Sequence, residues 1–503
     1  MTALSTAIAS VMTLEPTSDA LRFEGRWWSW GDLLGVGYEI ERAVRDAGLP
    51  ADTPVGLVVQ NRPAVAAALL AGLQRDRCTI NFNALLPDVS LAASLVALCP
   101  RVVVGVGSDV DRDGVVEAAR TIGALVVALP EVDPSEPCRV RIELGDLGNR
   151  GAFFADEGVA ISMETSGTTG TPKRISIRCD DLWNVARNTL KHHGDSGGAF
   201  EAKLRPGIGV SFMHLGHIGP IGGLVSSVLS GRKTVMMRRF EPHAWAALIE
   251  ETQSLTAGLP PATLKMILDA GIPKEPLRSL KAVNSGTAPL DPAVARAFED
   301  SYGIPVLQAY GATEFSGGLT SLTLKDYRSY GEAIRGTVGR AHPGVELRVV
   351  DPAGDTELAV GTSGVLMVRT RHTVGASDQD WVRTNDLARI DANGFLFIDG
   401  RVDDVIIRGG FKVDTTEVER ILREHPGVDD ASVVGLKDPR LGEVPAAAIV
   451  LREGVAVDEA QAQQWVRDRL APYKVPVAVR FVDALPRTPS LKVARPAVIA
   501  LFG

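Results

Sequence analysis

The chain has 503 residues, too many for one hydrophobic core, so two or more domains are expected. Lys and Arg number 53 against 61 Asp and Glu, and the net charge of −8 offers no broad basic surface, which speaks against nucleic acid as a partner. Four scattered cysteines, Cys78, Cys99, Cys138 and Cys179, form no C-x-x-C pair and read as reduced, structural thiols of a cytoplasmic protein, not a disulfide frame or a metal site.

Met1 to Leu14 lacks a basic n-region and is broken by polar residues, so no secretory signal is expected. Apolar runs Val55–Val59, Arg101–Val104 and Leu125–Leu129 then alternate with helical patterns over Pro63–Leu73 and Val115–Ile122. Such alternation predicts α/β architecture, with parallel sheets covered by helices. Gly105-Val-Gly107 follows a strand but lacks the third glycine of a dinucleotide fingerprint, and is read as a strand-to-helix turn.

Met163 to Ile177 reads M-E-T-S-G-T-T-G-T-P-K-R-I-S-I. Gly167 and Gly170 can take positive φ and let consecutive N–H groups converge on an anion. Thr165, Ser166, Thr168, Thr169 and Thr171 add five hydroxyls, and Lys173 adds a mobile cation. The apolar flanks Val159–Met163 and Ile175–Ile177 predict a hairpin-like turn between two short strands, and the G-x-x-x-x-G-K-[ST] spacing of a P-loop is absent. Taken by itself, a Ser/Thr/Gly cluster is also compatible with a solvated turn.

Downstream, Ile218–Gly231 is too short and too rich in Gly and Ser to span a bilayer, so no stable membrane insertion is expected. Three more blocks follow: Asn284-Ser-Gly-Thr-Ala-Pro-Leu290, Gln308-Ala-Tyr-Gly-Ala-Thr-Glu314, and Trp381-Val-Arg-Thr-Asn-Asp386 with Gly394 and Gly400-Arg401. The first is equally compatible with a strand-to-helix turn capped by Thr287 or Asp291. From about Gly364 the texture becomes that of short strands and Asp/Gly turns, over Gly364–Arg369 and Gly394–Ile398. After Val402–Arg408 and Gly409-Gly410 comes an amphipathic pattern over Thr415–His425, then strands at Asp430–Gly435, Pro445–Leu451 and Val477–Val482 around a helix at Asp458–Leu470. The last block is Leu485-Pro-Arg-Thr-Pro-Ser-Leu-Lys-Val-Ala-Arg495.

In this order the five motifs resemble the signatures of the adenylate-forming superfamily, which contains acyl-CoA synthetases, aryl-CoA ligases, luciferases and adenylation domains of peptide synthetases. The resemblance covers nearly the whole chain. It departs from the family pattern at Arg174, Asn385 and Leu491, each at a usual glycine position. It implies a large N-terminal domain of helix-covered sheets over 1–401, β-rich from about 330, and a small mobile α+β domain over 402–503 hinged at about Asp403.

By the same resemblance, Thr165, Ser166, Gly167, Thr168, Thr169, Gly170 and Lys173 handle the phosphates of ATP. Gly286, Thr287 and Ala288, with Tyr310, Gly311 and Ala312, form the adenine pocket; Thr313 addresses the α-phosphate, and Glu314 offers a hard oxygen to Mg²⁺. Asp386, Ile398 and Arg401 belong to the ribose side, Lys492 bridges carboxylate and α-phosphate, and Gly409, Gly410 and Lys412 border the passage for a thiol acceptor. The acyl pocket is expected near His214, Gly216, His217, Gly219, Gly286, Gly311 and Gly317, with the choice between the two histidines left open. Amino-acid-activating relatives carry an aspartate where this chain has Phe212-Met-His-Leu-Gly-His217, so an amino acid is not expected, and the glycine density points to an apolar, bulky acid.

The implied activity is ATP-dependent formation of an acyl-adenylate, followed by acyl transfer to a free thiol. The chain ends eleven residues after Lys492, leaving no room for a fused carrier domain. Coenzyme A is the expected acceptor, and a separate acyl carrier protein is the alternative. Lys492 and Glu314 are both in place, against a non-catalytic nucleotide sensor; no kinase signature set is present. Oligomeric state is left open, a homodimer among the options.

Overall fold

The computed structural model describes residues 1–143, 152–165, 173–192, 198–374, 377, 379–402, 405–408, 411–488 and 492–503. The chain forms two compact units, one holding the described residues of Met1–Gly167, Thr171–Val345 and Arg369–Asp380, the other those of Glu346–Val368 and Trp381–Gly503.

The first unit is built on a seven-stranded sheet whose order is Arg139–Ile142, Leu125–Leu129, Val102–Val106, Val55–Val59, Thr79–Asn83, Val159–Thr165, Lys173–Arg178. Its central pairings are parallel, and each edge strand pairs antiparallel. Every residue of Val55–Val59, Val102–Val106 and Leu125–Leu129 is buried, because helices cover both faces of a parallel sheet and leave no solvent side. The helix Pro63–Gln74 starts on a proline at its first turn and buries eleven residues from Pro63 to Leu73. Helix Asp113–Ile122 is the amphipathic counterpart, burying Val115, Ala118, Ala119 and Ile122 and ending at Gly123 in a left-handed cap. Gly107 opens a four-residue helix to Val110, so the Gly105-Val-Gly107 turn does lead from strand into helix.

Two further sheets complete this unit. Strands Arg205–Ser211 and Arg232–Met236 pair in parallel and continue onto Asp19–Phe23 and Arg26–Ser29. Strands Thr256–Gly258, Ala282–Ser285 and Val306–Ala312 run parallel, and Gly317–Ser321 and Arg340–Ala341 extend them antiparallel. Large side chains such as Trp28, Phe23 and Leu57 fill the first core cluster, and Trp245, Phe298 and Leu264 fill the second.

Most of a sheet ordered Val345–Val350, Gly364–Thr370, Val382–Ile390, Leu396–Arg401 lies in the second unit, its last three strands pairing antiparallel. This unit also contains a sheet of Phe411–Asp414, Val405–Arg408, Gly442–Leu451 and Val428–Asp438, with Ala478–Phe481 added in parallel. Helices Thr415–Arg423 and Glu459–Arg467 supply Val418, Ile421, Leu422, Ala462 and Val466 to its core. All four cysteines are free thiols. Among the described residues no helix is long and apolar enough to cross a membrane; Ile218–Leu229 is a twelve-residue helix.

Candidate active site

The antiparallel pair Val159–Thr165 and Lys173–Arg178 brings Thr165 opposite Lys173 and Glu164 opposite Arg174. This is the hairpin expected from the apolar flanks; Ser166, Gly167, Thr168, Thr169 and Gly170 lie outside the described residues. The Arg174 guanidinium lies back along its own hairpin. It donates to the Ser162 carbonyl at 3.1 Å and to Glu164 Oε1 at 3.0 Å, and sits 5.8 Å from the Phe82 ring centre. Burial is the leading influence on this guanidinium and lowers its pKa from the ordinary value, against the pull of Glu164.

The expected adenine segments meet at the parallel pair Ala282–Ser285 and Val306–Ala312, where Ser285 stands beside Gln308. A Cβ on Gly286 would lie 3.1 Å from the Ala309 carbonyl oxygen. The chain therefore passes close to the strand carrying Tyr310, Gly311 and Ala312. Thr287 is held at φ +73°, an outlier for a β-branched residue that costs about 1–3 kcal/mol. Ala288 is half-buried, and Asp291 caps the following helix by accepting from the Ala293 N–H at 2.8 Å.

Beyond Ala312 the strand turns through the short helix Thr313–Phe315 and returns as Gly317–Ser321. The register is Ala312 opposite Gly317 and Gly311 opposite Gly318, then Tyr310 opposite Thr320, a bulge that leaves Leu319 extra. The two strands are so close here that a Cβ on Gly311 would fall 2.2 Å from the Gly317 carbonyl oxygen. Glu314 is exposed, and its backbone carbonyl accepts from the Val374 N–H at 2.9 Å, while the Ser316 hydroxyl donates to the His372 carbonyl at 3.2 Å. A buried His372–Asp181 contact of 3.8 Å lies beneath this clamp. No group of three or more His, Cys, Asp or Glu gathers to hold a metal among the described residues. A lone exposed carboxylate such as Glu314 fits an Mg²⁺ that brings phosphate oxygens and water as its other ligands.

His214 and His217 bracket the loop entering helix Ile218–Leu229, with ring centres 6.2 Å apart. The Gly216 N–H donates to His214 Nδ1 at 3.0 Å, and His214 Nε2 is shut off from solvent. Burial, reinforced by His217, pushes the His214 pKa down to about 4, so the ring is neutral at physiological pH. A Cβ on Gly219, Gly222 or Gly223 would meet nothing within 4 Å, leaving open space along this helix, whereas one on Gly317, at φ +139°, would meet Val185 at 3.1 Å.

Asp386, Ile398 and Arg401 belong to the second unit, together with Lys412 and Lys492. Asp386 pairs across the strands with Arg401, whose Nε is 3.6 Å from Asp386 Oδ1, and Ile398 faces Ala388. Lys412 lies on strand Phe411–Asp414, while Asp403, Gly409, Gly410 and Leu491 are outside the described residues. Lys492 is exposed; its carbonyl accepts from the Thr488 N–H at 2.7 Å, and its N–H donates to Thr488 Oγ1 at 3.2 Å. Arg487 pairs with Asp430 at 2.8 Å.

Two contributors carried no motif that would have singled them out. Asn61 lies just past the carboxyl end of the buried strand Val55–Val59 and bonds the histidine loop; its only sequence signal is that position, where α/β sheets place their sites. His372 carried no signal, since its partner Asp181 is distant in sequence. Burial raises the thiol pKa values of Cys78 to about 12 and of Cys138 and Cys179 to about 11, so these three are poor nucleophiles.

A family described as AMP-binding enzyme matches residues 10–375, and one described as AMP-binding enzyme C-terminal domain matches residues 417–492. An indoleacetate–CoA ligase of Aromatoleum aromaticum is 28% identical over 96% of this chain and 94% of its own. A feruloyl-CoA synthase of an Amycolatopsis species is 26% identical over 97% of each chain. Among solved structures, ATP-bound MatB of Rhodopseudomonas palustris has a TM-score of 0.83 at 25% identity and covers 99% of both chains. The amide bond synthetase McbA of Marinactinospora thermotolerans has a TM-score of 0.78 at 25% identity, covering 99% of this chain and 100% of its own.

Proposed function

This chain belongs to the AMP-binding enzymes, the adenylate-forming superfamily of acyl-CoA synthetases, and from that premise we propose that it joins a bulky, apolar carboxylic acid to coenzyme A. Acid–thiol ligation is the activity its relatives carry in their names. The preference for an apolar acid rests on the loop Phe212–His217. It carries no carboxylate for an α-amine, His214 is uncharged, and the helix that follows leaves open space beside Gly219, Gly222 and Gly223.

In the first step an acid oxygen attacks the α-phosphorus of ATP, forming an O–P bond as the bond to pyrophosphate breaks. The hydroxyls and Lys173 of the 165–173 turn hold the leaving phosphates, and Lys492 offsets charge on the α-phosphate. Gly286 packs against the Ala309 carbonyl and Gly311 against the Gly317 carbonyl, which keeps the two segments close, and Tyr310 between them offers its ring to a flat purine. Asp386, oriented by Arg401, accepts from the ribose hydroxyls. Glu314 is the residue that would hold Mg²⁺, which when bound neutralises phosphate charge. In the second step the coenzyme A sulfur attacks the acyl carbon; a C–S bond forms, the C–O bond to AMP breaks, and the thiol proton passes to solvent. Gly409 and Gly410 are the proposed passage for the pantetheine arm, and Asp403 the hinge that exchanges Lys492 for that passage.

The test is acid-dependent pyrophosphate release over fatty, aryl and polycyclic acids, with and without coenzyme A. A strong preference for acetate would sink the substrate class. Accumulation of acyl-adenylate that coenzyme A fails to discharge would move the acceptor to a carrier protein. For Lys492→Ala, release is expected to fall about 10²–10³-fold, as for loss of one transition-state donor. Full release by the variant with every accepted acid would remove Lys492 from the chemistry.

A further inference from the structure

Asn61 is 3% exposed and uses its side-chain amide on three backbone groups of two other segments. Its Nδ2 donates to the Phe212 carbonyl at 2.8 Å and to the Met237 carbonyl at 3.3 Å, and its Oδ1 accepts from the Leu215 N–H at 3.1 Å. Phe212, Leu215 and Met237 are themselves buried, so water cannot replace these bonds. Asn61 is in turn fixed from behind: Arg62, 3% exposed, donates to the Asn61 carbonyl at 2.9 Å, lies 4.9 Å from the Phe23 ring centre and faces Glu131 at 3.5 Å.

The residues so held, Phe212 and Leu215, stand on either side of His214. The Gly216 N–H then orients the imidazole through Nδ1 at 3.0 Å. We propose that Asn61 is a positioning residue for the acid end of the site: it sets the place of His214, and through it the fit of the carboxylic acid. The inference rests on the reading of His214 as a wall of the acid pocket. No other side chain substitutes well. Aspartate loses both donors and sets a carboxylate against two carbonyls, while alanine leaves two acceptors and one donor unpaired in a dry place.

The experiment compares the protein with Asn61→Ala, Asn61→Asp, His214→Ala and the double variant Asn61→Asp with His214→Ala. Pyrophosphate release is followed with the best acid of the panel. In the Asn61 variants the KM for the acid is expected to rise about 10- to 100-fold, the scale of a small misplacement of a positioning group. The KM for ATP should stay within about twofold, and in the His214→Ala background the Asn61→Asp effect should shrink to about twofold. An unchanged acid KM, equal movement of both KM values, or an effect that persists undiminished without His214 each overturns the proposal. So does failure of both single Asn61 variants to fold, which would make Asn61 a folding residue only. A second readout needs no substrate: the imidazole ¹⁵N spectrum, with His214 assigned by its loss in His214→Ala. Asn61→Asp should shift the His214 signals and spare those of His425. Unmoved His214 signals refute the positioning role. Shifted signals in a protein that releases no pyrophosphate with any acid would instead fault the functional reading.

Discussion

Gly311 is the position at which the structure sets the sharpest limit. Its ideal Cβ lies 2.2 Å from the Gly317 carbonyl oxygen and 2.7 Å from Gly318 Cα, both backbone atoms of the neighbouring strand that no rotamer change can move aside. Ordinary contact begins at 3.4 Å, so Gly311→Ala has to part the two strands by about 1.2 Å, a quarter of the usual interstrand spacing. Overpacking of this kind costs about 1–3 kcal/mol, and the ladder bonds lost across the bulge add about 1 kcal/mol each, giving about 3–5 kcal/mol together. For a unit of this size, with an unfolding entropy of about 2.1 cal/mol/K per residue, the melting temperature should fall by about 4–7 °C. Differential scanning fluorimetry of Gly311→Ala beside Gly222→Ala makes the comparison internal. Gly222 lies within a helix with nothing within 4 Å of its Cβ, so alanine there should stabilise by about 0.5–1 kcal/mol. Equal melting temperatures for the two variants would refute the reasoning.

His214, with a pKa pushed to about 4 against an ordinary 6.5, is neutral in the fold while the unfolded chain takes a proton more readily. The folded pKa is depressed, so its contribution is fully present above pH 6.5 and is lost as pH falls toward 4, amounting to roughly 3 kcal/mol at most. Urea unfolding across that window should show a shallower pH slope in His214→Gln than in the parent, and an identical slope would show that the ring is not buried neutral. Arg174→Gly should cost about 1–3 kcal/mol in the same assay through the lost bonds to Ser162 and Glu164 and the Phe82 contact, leaving the KM for ATP within about twofold. A raised ATP KM with unchanged stability would place its guanidinium on the nucleotide instead.

The parallel sheet was legible because its strands are buried on both faces and therefore read as unbroken apolar runs, as Val55–Val59 and Leu125–Leu129 do. The hairpin bearing the hydroxyl-rich turn was legible for a related reason, its apolar flanks. Less could be read where partners are remote. Asp19–Phe23 joins Arg232–Met236 across more than two hundred residues, and no local pattern announces that pairing. In the C-terminal part the strand expected at Asp430–Gly435 runs from Val428 to Asp438, because pairing with Gly442–Leu451 extends it past its apolar stretch. Asn61 stayed hidden because a side chain that bonds three backbone groups needs no companion residue, and so leaves no motif.

The departures from the family's glycines are explained by backbone geometry at two of three positions. Asn385 lies in the strand Val382–Ile390 and is not among the residues with positive φ, so its backbone makes no demand for glycine. Arg174 likewise occupies the extended strand Lys173–Arg178, paired with Glu164, where any side chain fits the backbone and an arginine gains three oxygen acceptors. Gly311 and Gly317 differ in kind: one admits no Cβ beside the opposing carbonyl, and the other sits at φ +139°. Glycine is thus replaceable in the strands at 174 and 385, where only its small size was at stake. Across the bulge between Val306–Ala312 and Gly317–Ser321, the backbone itself requires it.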